Sequence, residues 1–313
     1  MDFAAAMVLG LVIDGVLGWP NGLYARIGHP VTWLGRLIAA LDRGWNRDGE
    51  SFATRRVAGV AVALAVIALA SVSAFAVQTA IGPGWRRILL VGILAWPFVA
   101  LRSLHEHVTA VAKPLQAGDM DGARRAVSMI VGRDPTKLDE AGIARAAIES
   151  LAENTSDGVV APIVWGVLFG LPGIAGYKAI NTLDSMIGHR DARHEAFGWA
   201  AARIDDIANL VPARLTGLLF ALVSTRVAAA LACMWRDARH HRSINAGWPE
   251  AALAGSLGVR LCGPRVYHGE LAKEPWLNEN ARDPASSDVA LALKLYVRAM
   301  GLFAALLLIL ALV

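Results

Sequence analysis

The sequence predicts an all-α polytopic integral membrane protein, with amphipathic helices and long cytoplasmic loops packed on the membrane helices. Three observations carry this. Of 313 residues, 56% are hydrophobic, against about 45–50% in soluble domains, and the mean hydropathy is +0.47. The apolar runs extend from one end of the chain to the other. A length that would allow two soluble domains therefore reads as a single membrane-embedded unit over 1–313. The polar stretches between the runs, finally, carry helical periodicity.

These totals also exclude function classes. The net charge of +4 comes from scattered basic residues, whereas nucleic-acid binding needs a basic patch or a recognisable module. Cys233 and Cys262 lie far apart in the sequence, outside any CxxC, and imply neither a disulfide framework nor a zinc site. Each reads as an inert, small apolar residue. The N-terminal MDFAAAMVLGLVIDGVLGWP lacks a basic start and a cleavage site, so it is expected to be a retained helix.

In chain order, 3–18 is an apolar segment, short for a span of ~20 residues. It carries Asp14, a costly group inside a membrane unless it sits at the interface or serves a function. Residues 19–56 read as a polar loop containing GHPVTWLGRLI, where Pro30 pushes His29 towards extended backbone. His29 and Arg36 suit an anionic or amide-rich ligand. The clearest span is 57–80. After Gly82-Pro83-Gly84, a second span covers 88–101, with a kink expected at Pro97. Residues 102–158 read as two or three amphipathic helices, broken at Asp134-Pro135 and recapped by Thr136. The segments 159–175 and 210–234 are apolar but interrupted by Pro, or by Arg214 and Arg226, and read as re-entrant or packed. Within the long polar loop 236–295, Pro249 opens a helix and Gly258 stops it. The last span is 296–313.

With four spans at 3–18, 57–80, 88–101 and 296–313, every polar motif faces one side and only Arg86 and Arg87 face the other. The positive-inside rule makes the motif side cytoplasmic. Polar half-helices are tolerated at membrane depth where they line a cavity.

Three polar groups invite chemistry. At roughly 100° per residue, 177–190 places Ala179, Ile180, Leu183, Met186 and Ile187 on one side. Lys178, Asn181, Thr182, Asp184, Ser185 and His189 fall on the other. Short, directional groups written in place of Glu, Lys and Arg point to a site, against the plainer reading of a polar face satisfied by a neighbouring helix. Arg145, Glu149 and Glu153 line one stripe, with Arg preceding Glu and two like charges adjacent, both unfavourable to a helix. Paired carboxylates suit Mg2+, a substrate ammonium or a lysine, and Asn154 and Asp157 add oxygen ligands. Asp205, Asp206 and Asn209 form a third group, bracketed by Arg203 and Arg214, of the kind that holds Mg2+ and phosphates. An exposed acidic face is the alternative there.

The segments HPVTWLGRLI, GRDPTKLDEAGIARAAIESLAENTSDGVVAPIVW, YKAINTLDSMIGHR, FGWAAARIDDIANLVPARLT and NAGWPEAALAGSLGVRLCGP, in that order, resemble the adenosylcobinamide-phosphate synthase family (CobD/CbiB) of cobalamin biosynthesis. The resemblance runs from about Asp14 to His268. It implies an inner-membrane, multi-pass ligase with its active site facing the cytoplasm. Such an enzyme joins the propionate carboxyl of adenosylcobyric acid to (R)-1-amino-2-propanol O-phosphate, or to the free aminopropanol, and consumes ATP. The implied cofactors are ATP and Mg2+, with the corrinoid as substrate. The implied partners are those substrates, membrane lipid and other membrane-associated cobalamin-assembly enzymes, but no nucleic acid.

No GxxxxGK or GxGxxG is present, so any ATP site is built differently. Carboxylate activation is mostly positioning and charge stabilisation. On that chemistry Glu153, Asp157 and Asp184 are expected to bind Mg2+, and Lys178, Arg190 and Arg203 to hold phosphates. Glu149 or His189 would be the base. Asn154, Asn181, Asn209 and Asn245 suit the amide rim of a corrinoid, and Trp165, Trp199 and Trp248 its flat face. A corrinoid transporter would show more full spans and shorter polar loops. A non-catalytic membrane signalling relative would lack the acidic and amide motifs.

Overall fold

The computed structural model describes residues 2–130, 138–267, 270–272 and 274–313. The expected break at Asp134-Pro135 and the cap at Thr136 lie outside them. The described residues are almost wholly helical, and the chain divides into two compact units. The first comprises 1–100, 161–209 and 307–313, and the second 101–160 and 210–306.

The first unit opens with α1 (Asp2–Leu17), α2 (Asn21–Ile27) and α3 (Pro30–Trp45). The expectation of a loop over 19–56 is corrected here. Pro30 stands at the first helical position, where its missing N–H costs nothing. His29 caps the helix, its side chain accepting from the Val31 N–H while Thr32 answers reciprocally. The segment is helical because these local caps satisfy the orphan amides of its first turn. α1 is only 16 residues long, and with 22–45 it forms a pair bent by 107°. Asp14 is buried.

α4 (Phe52–Ile81) runs for 30 residues. α5 (Trp85–Ala95) then leads into a 3-10 turn at Trp96–Phe98, where a kink was expected at Pro97. Among the described residues, three helical stretches are long and apolar enough to cross a membrane, Phe52–Ile81, Trp85–Gln116 and Ser286–Leu312, and counting each of two bent helix pairs as one span gives up to five. That length and composition fit a membrane protein. Each is longer than the corresponding apolar run read from sequence, because the helices continue into their polar flanks.

α9 (Ala161–Phe169), α10 (Leu171–Ile187) and α11 (Trp199–Ala208) complete the first unit. Its core gathers Ile38, Val62, Val66, Ala179, Leu183, Ile187 and Phe197 from α3, α4, α10 and the turn before α11. Leu183 is fully buried there. Leu183→Ala is therefore expected to lower stability by about 2–5 kcal/mol through lost burial and a residual cavity, read as a fall in melting temperature. A melt matching the wild type would take α10 out of this core.

Asp42 organises the corner before α11. It accepts from Asn46 at 2.8 Å and from Arg193 at 2.9 Å. Burial alone would raise its pKa, but the Asn46 and Arg193 hydrogen bonds outweigh that and hold it below the usual carboxylate range. Asn46 also donates to the Arg193 carbonyl at 3.0 Å. The segment following His189 is thereby tied to the end of α3.

The second unit contains α6 (Leu101–Gln116), α7 (Met120–Val127) and α8 (Glu140–Thr155). A π-helical turn at Ser156–Val160 follows. Then come α12 (Leu210–Val223), α13 (Val227–Asp237), α14 (Gly247–Leu257) and α15 (Ser286–Leu312), the last of which continues into 307–313. The expected polar loop 236–295 is thus partly helical. Pro249 lies in the first turn of α14, and Gly258 ends it in the left-handed conformation at φ 67°, which favours glycine. The same segment holds β1 (Leu261–Cys262), β2 (Arg265–Tyr267), β3 (Glu270–Ala272) and β4 (Trp276–Leu277). β1 pairs antiparallel with β4, and β2 with β3.

Candidate functional site

In the first unit, α10 separates its two faces as its periodicity requires. Ala179, Leu183 and Ile187 point into the core. Lys178, Asn181 and Asp184 remain half-buried, and Ser185 is exposed. Gly188 stops the helix, its N–H bonding the Asp184 carbonyl at 2.8 Å.

α11 delivers carboxylates to this polar face. Burial raises the Asp184 pKa, and the negative charge of Asp206 raises it further, while His189 pulls it down. The charges of two carboxylates from different helices therefore act on one another, a repulsion that a divalent cation would relieve. Arg203 donates to Asp206 at 2.8 Å. Asn209 donates to Asp205 at 3.0 Å and accepts from the Tyr177 hydroxyl at 2.8 Å. This chain locks the end of α11 to α10.

The start of α3 adds His29. The Val31 N–H donates to its Nδ1 at 3.2 Å, which assigns the ring proton to Nε2. Burial and then the Lys178 cation lower its pKa, so it is neutral at pH 7. The group thus presents a neutral imidazole donor, a lysine, an arginine and paired acids. Asp184 and Asp206 are the two acids of this group whose charges act on one another.

Other predicted residues of this unit have surroundings of their own. Arg36 and Arg190 are exposed, and the His189 Nε2 lies 3.0 Å from the Ser185 carbonyl. Trp199 carries the Arg56 guanidinium 3.8 Å over its ring. Trp165 donates to the Ala208 carbonyl at 3.1 Å. It lines a cavity of about 430 Å3 with Ile67, Phe169, Tyr177, Ile180 and Ile207.

In the second unit, the three residues of the Arg145–Glu149–Glu153 stripe have different surroundings. Arg145 pairs with Asp283. Glu149 is buried and accepts the Cys262 N–H at 2.7 Å. Glu153 is exposed. A neighbour 113 positions away claims Glu149, which no helical-wheel argument detects. Asn154 turns back onto the Ser150 carbonyl at 2.9 Å. Asp157 lies in the π-helical turn, a feature that recurs at functional sites.

Arg214, Asn245 and Trp248 do come together. The Arg214 guanidinium sits 4.4 Å over the Trp248 ring and 3.5 Å from Asn245 Oδ1. Sequence reasoning missed Asp42 with Arg193, and it missed a buried group of His241, Glu250 and Cys262 whose ligand atoms lie within 4.8 Å of one another. The only sequence signal for that group was a Cys, a His and a Glu spread over about twenty residues, with no motif spacing.

Residues 7–296 match the family model described as CobD/Cbib protein. The relative named "Cobalamin biosynthesis protein CobD" in Rhodobacter capsulatus is 66% identical over 301 residues, covering 96% of this chain and 95% of its own. A protein of the same name in Sinorhizobium sp is 46% identical over 297 residues, 90% of each chain. One from Brucella suis is 45% identical over 302 residues, 94% of this chain and 92% of its own. No solved structure matches.

Proposed function

Because the chain belongs to the CobD/CbiB family of cobalamin biosynthesis, we propose that it is the amide-forming ligase attaching aminopropanol phosphate, or aminopropanol, to adenosylcobyric acid. The observation that supports this most is that the Asp206 charge acts on the half-buried Asp184 and the Lys178 charge on His29 at the start of α3. Acids, cation and neutral imidazole together are the equipment of a phosphoryl-transfer site.

In this reading a propionate oxygen attacks the terminal phosphorus of ATP and ADP leaves. The amine nitrogen then attacks the acyl carbon, and phosphate departs with the C–O electron pair. Lys178 and Arg203 hold phosphoryl oxygens. Asp184 and Asp206 would hold Mg2+, and their donor chemistry fits a hard cation with oxygen ligands. That ion, when bound, neutralises phosphate charge. His29, with its proton on Nε2, donates to a substrate oxygen. His189 takes the ammonium proton, since Glu149 is buried against the Cys262 amide. Within the second unit, Arg214, Asn245 and Trp248 group a cation, an amide and a ring, a chemistry suited to a corrinoid periphery.

We place the protein in the inner membrane. With spans at Phe52–Ile81, Trp85–Gln116 and Ser286–Leu312, residues 1–51 and 117–285 fall on one side, and the positive-inside rule assigns that side to the cytoplasm.

Incubating the purified protein with adenosylcobyric acid, aminopropanol phosphate and Mg-ATP, followed by mass analysis of the corrinoid, tests the reading. Adenosylcobinamide phosphate with stoichiometric ADP is expected. An unchanged corrinoid with folded protein and all substrates present would exclude it.

A further inference from the structure

We propose that His241, Glu250 and Cys262 form a second, structural metal site, which takes a zinc-class divalent ion. None of the three belongs to the Asp184–Asp206 group, and the proposal stands independently of the ligase reading.

The three ligands reach one point from separate elements. Glu250 lies in the first turn of α14, whose residues are all buried. His241 follows the 3-10 turn Ala238–His240. Cys262 ends β1. The Glu250 Oε2 lies 3.0 Å from the Cys262 Sγ and 3.7 Å from the His241 Nε2. Bonds of about 2.0–2.3 Å to a tetrahedral zinc set ligand atoms roughly 3.3–3.8 Å apart. The observed separations need only small side-chain shifts to meet that.

Each ligand is also oriented from behind. The Ser243 backbone offers the His241 Nδ1 both its carbonyl at 3.2 Å and its N–H at 3.0 Å. The Ser243 N–H donating to Nδ1 places the ring proton of the metal-free site on Nε2, facing Glu250; metal binding at Nε2 would displace that proton to Nδ1, where the Ser243 carbonyl accepts it. Cys262 has φ +60°, a left-handed conformation that a non-glycine residue adopts only when its surroundings impose it. Glu149 imposes it here by accepting the Cys262 N–H at 2.7 Å. Glu149 is thus a positioning residue for this centre.

The donor set chooses the ion. Thiolate and imidazole select zinc-like metals over Mg2+ or Ca2+. The ligand side chains are nearly sealed from solvent, with Glu250 at 4% and His241 at 8% exposure. With solvent nearly excluded, the proposed role of the ion is structural, and the three ligands leave one tetrahedral position for a water or a further donor. Metal entry replaces the thiol proton that otherwise bonds Glu250, so binding is pH-dependent and releases a proton. The ion would pin the β1–β4 hairpin to α14.

Metal analysis of the full chain purified in detergent without added chelator tests this. About one zinc-class ion per chain is expected, reduced to trace in Cys262→Ala and His241→Ala. Replacement by cobalt in the wild-type protein should produce a thiolate-to-metal charge-transfer band, which needs no variant to fold. Chelation should lower the melting temperature of the wild type. Metal content unchanged in a folded Cys262→Ala, or a metal-free wild type that shows no cobalt band, overturns the proposal.

Discussion

Asp184→Asn is expected to lower turnover by roughly 100-fold or more, the upper end of the scale on which metal-site perturbations act, while the melting temperature stays at or above that of the wild type. Asparagine keeps the shape and the hydrogen-bonding oxygen but supplies no negative charge to a cation. The stability half of the prediction follows from linkage. Burial and the Asp206 charge raise the Asp184 pKa in the folded state. An acid raised in this way is better accommodated protonated, so its ionised form costs stability at neutral pH, and that cost fades as pH falls below the folded pKa. A neutral amide removes the cost at pH 7. The two readouts therefore move apart, which a merely structural polar face would not allow. Mg2+ should raise the wild-type melting temperature and leave the variant unmoved. Wild-type turnover in Asp184→Asn would return this face of α10 to simple packing.

Gly59→Leu is expected to abolish the folded first unit, and Gly59→Ala alone to cost about 3 kcal/mol or more, the upper end for an overpacked core. A Cβ built on Gly59 would lie 1.8 Å from the Phe197 carbonyl oxygen and 2.6 Å from its carbon. The obstacle is backbone, so no rotamer relieves it. The next residue repeats the constraint, since a Cβ on Gly198 would lie 1.5 Å from the Ile187 carbonyl. α4 thus packs directly on the turn that carries α10 into α11, in the close backbone approach that small residues permit between membrane helices. Gly44, at the end of α3, has nothing within 4 Å of its Cβ position, and Gly44→Ala should be neutral or slightly stabilising. Thermal melts and size-exclusion profiles in detergent compare the three. A Gly59→Ala protein that melts with the wild type would show the helices free to separate there.

The faces of single helices were legible in the chain. The 3.6-residue period of 177–190 placed Leu183 and Ile187 inward, and Lys178 and Asp184 on the opposite side, because both sets are decided by position along one helix. Pro249 and Gly258 bracketed α14 for the same local reason. The 19–56 stretch misled because Gly, Pro and His suggest a loop, whereas His29 and Pro30 are the opening of α3. The stripe on α8 misled more deeply. Glu149 and Glu153 occupy equivalent helical positions, yet one is buried and the other exposed, since burial depends on which element covers each turn.

Composition, periodicity and motif order by themselves determined a predominantly helical chain with membrane-length apolar helices and membership of its family. Those properties are additive along the chain or confined to a few turns of helix. Only the tertiary structure decided which polar groups act on one another: Asp184 with Asp206 and His29 with Lys178 through their charges, Glu149 with the Cys262 amide, and His241 with Glu250 and Cys262. Each pairing joins residues from different elements. Their encounter is set by helix packing at positions such as Gly59 and Gly198, where the absence of a side chain lets two backbones touch.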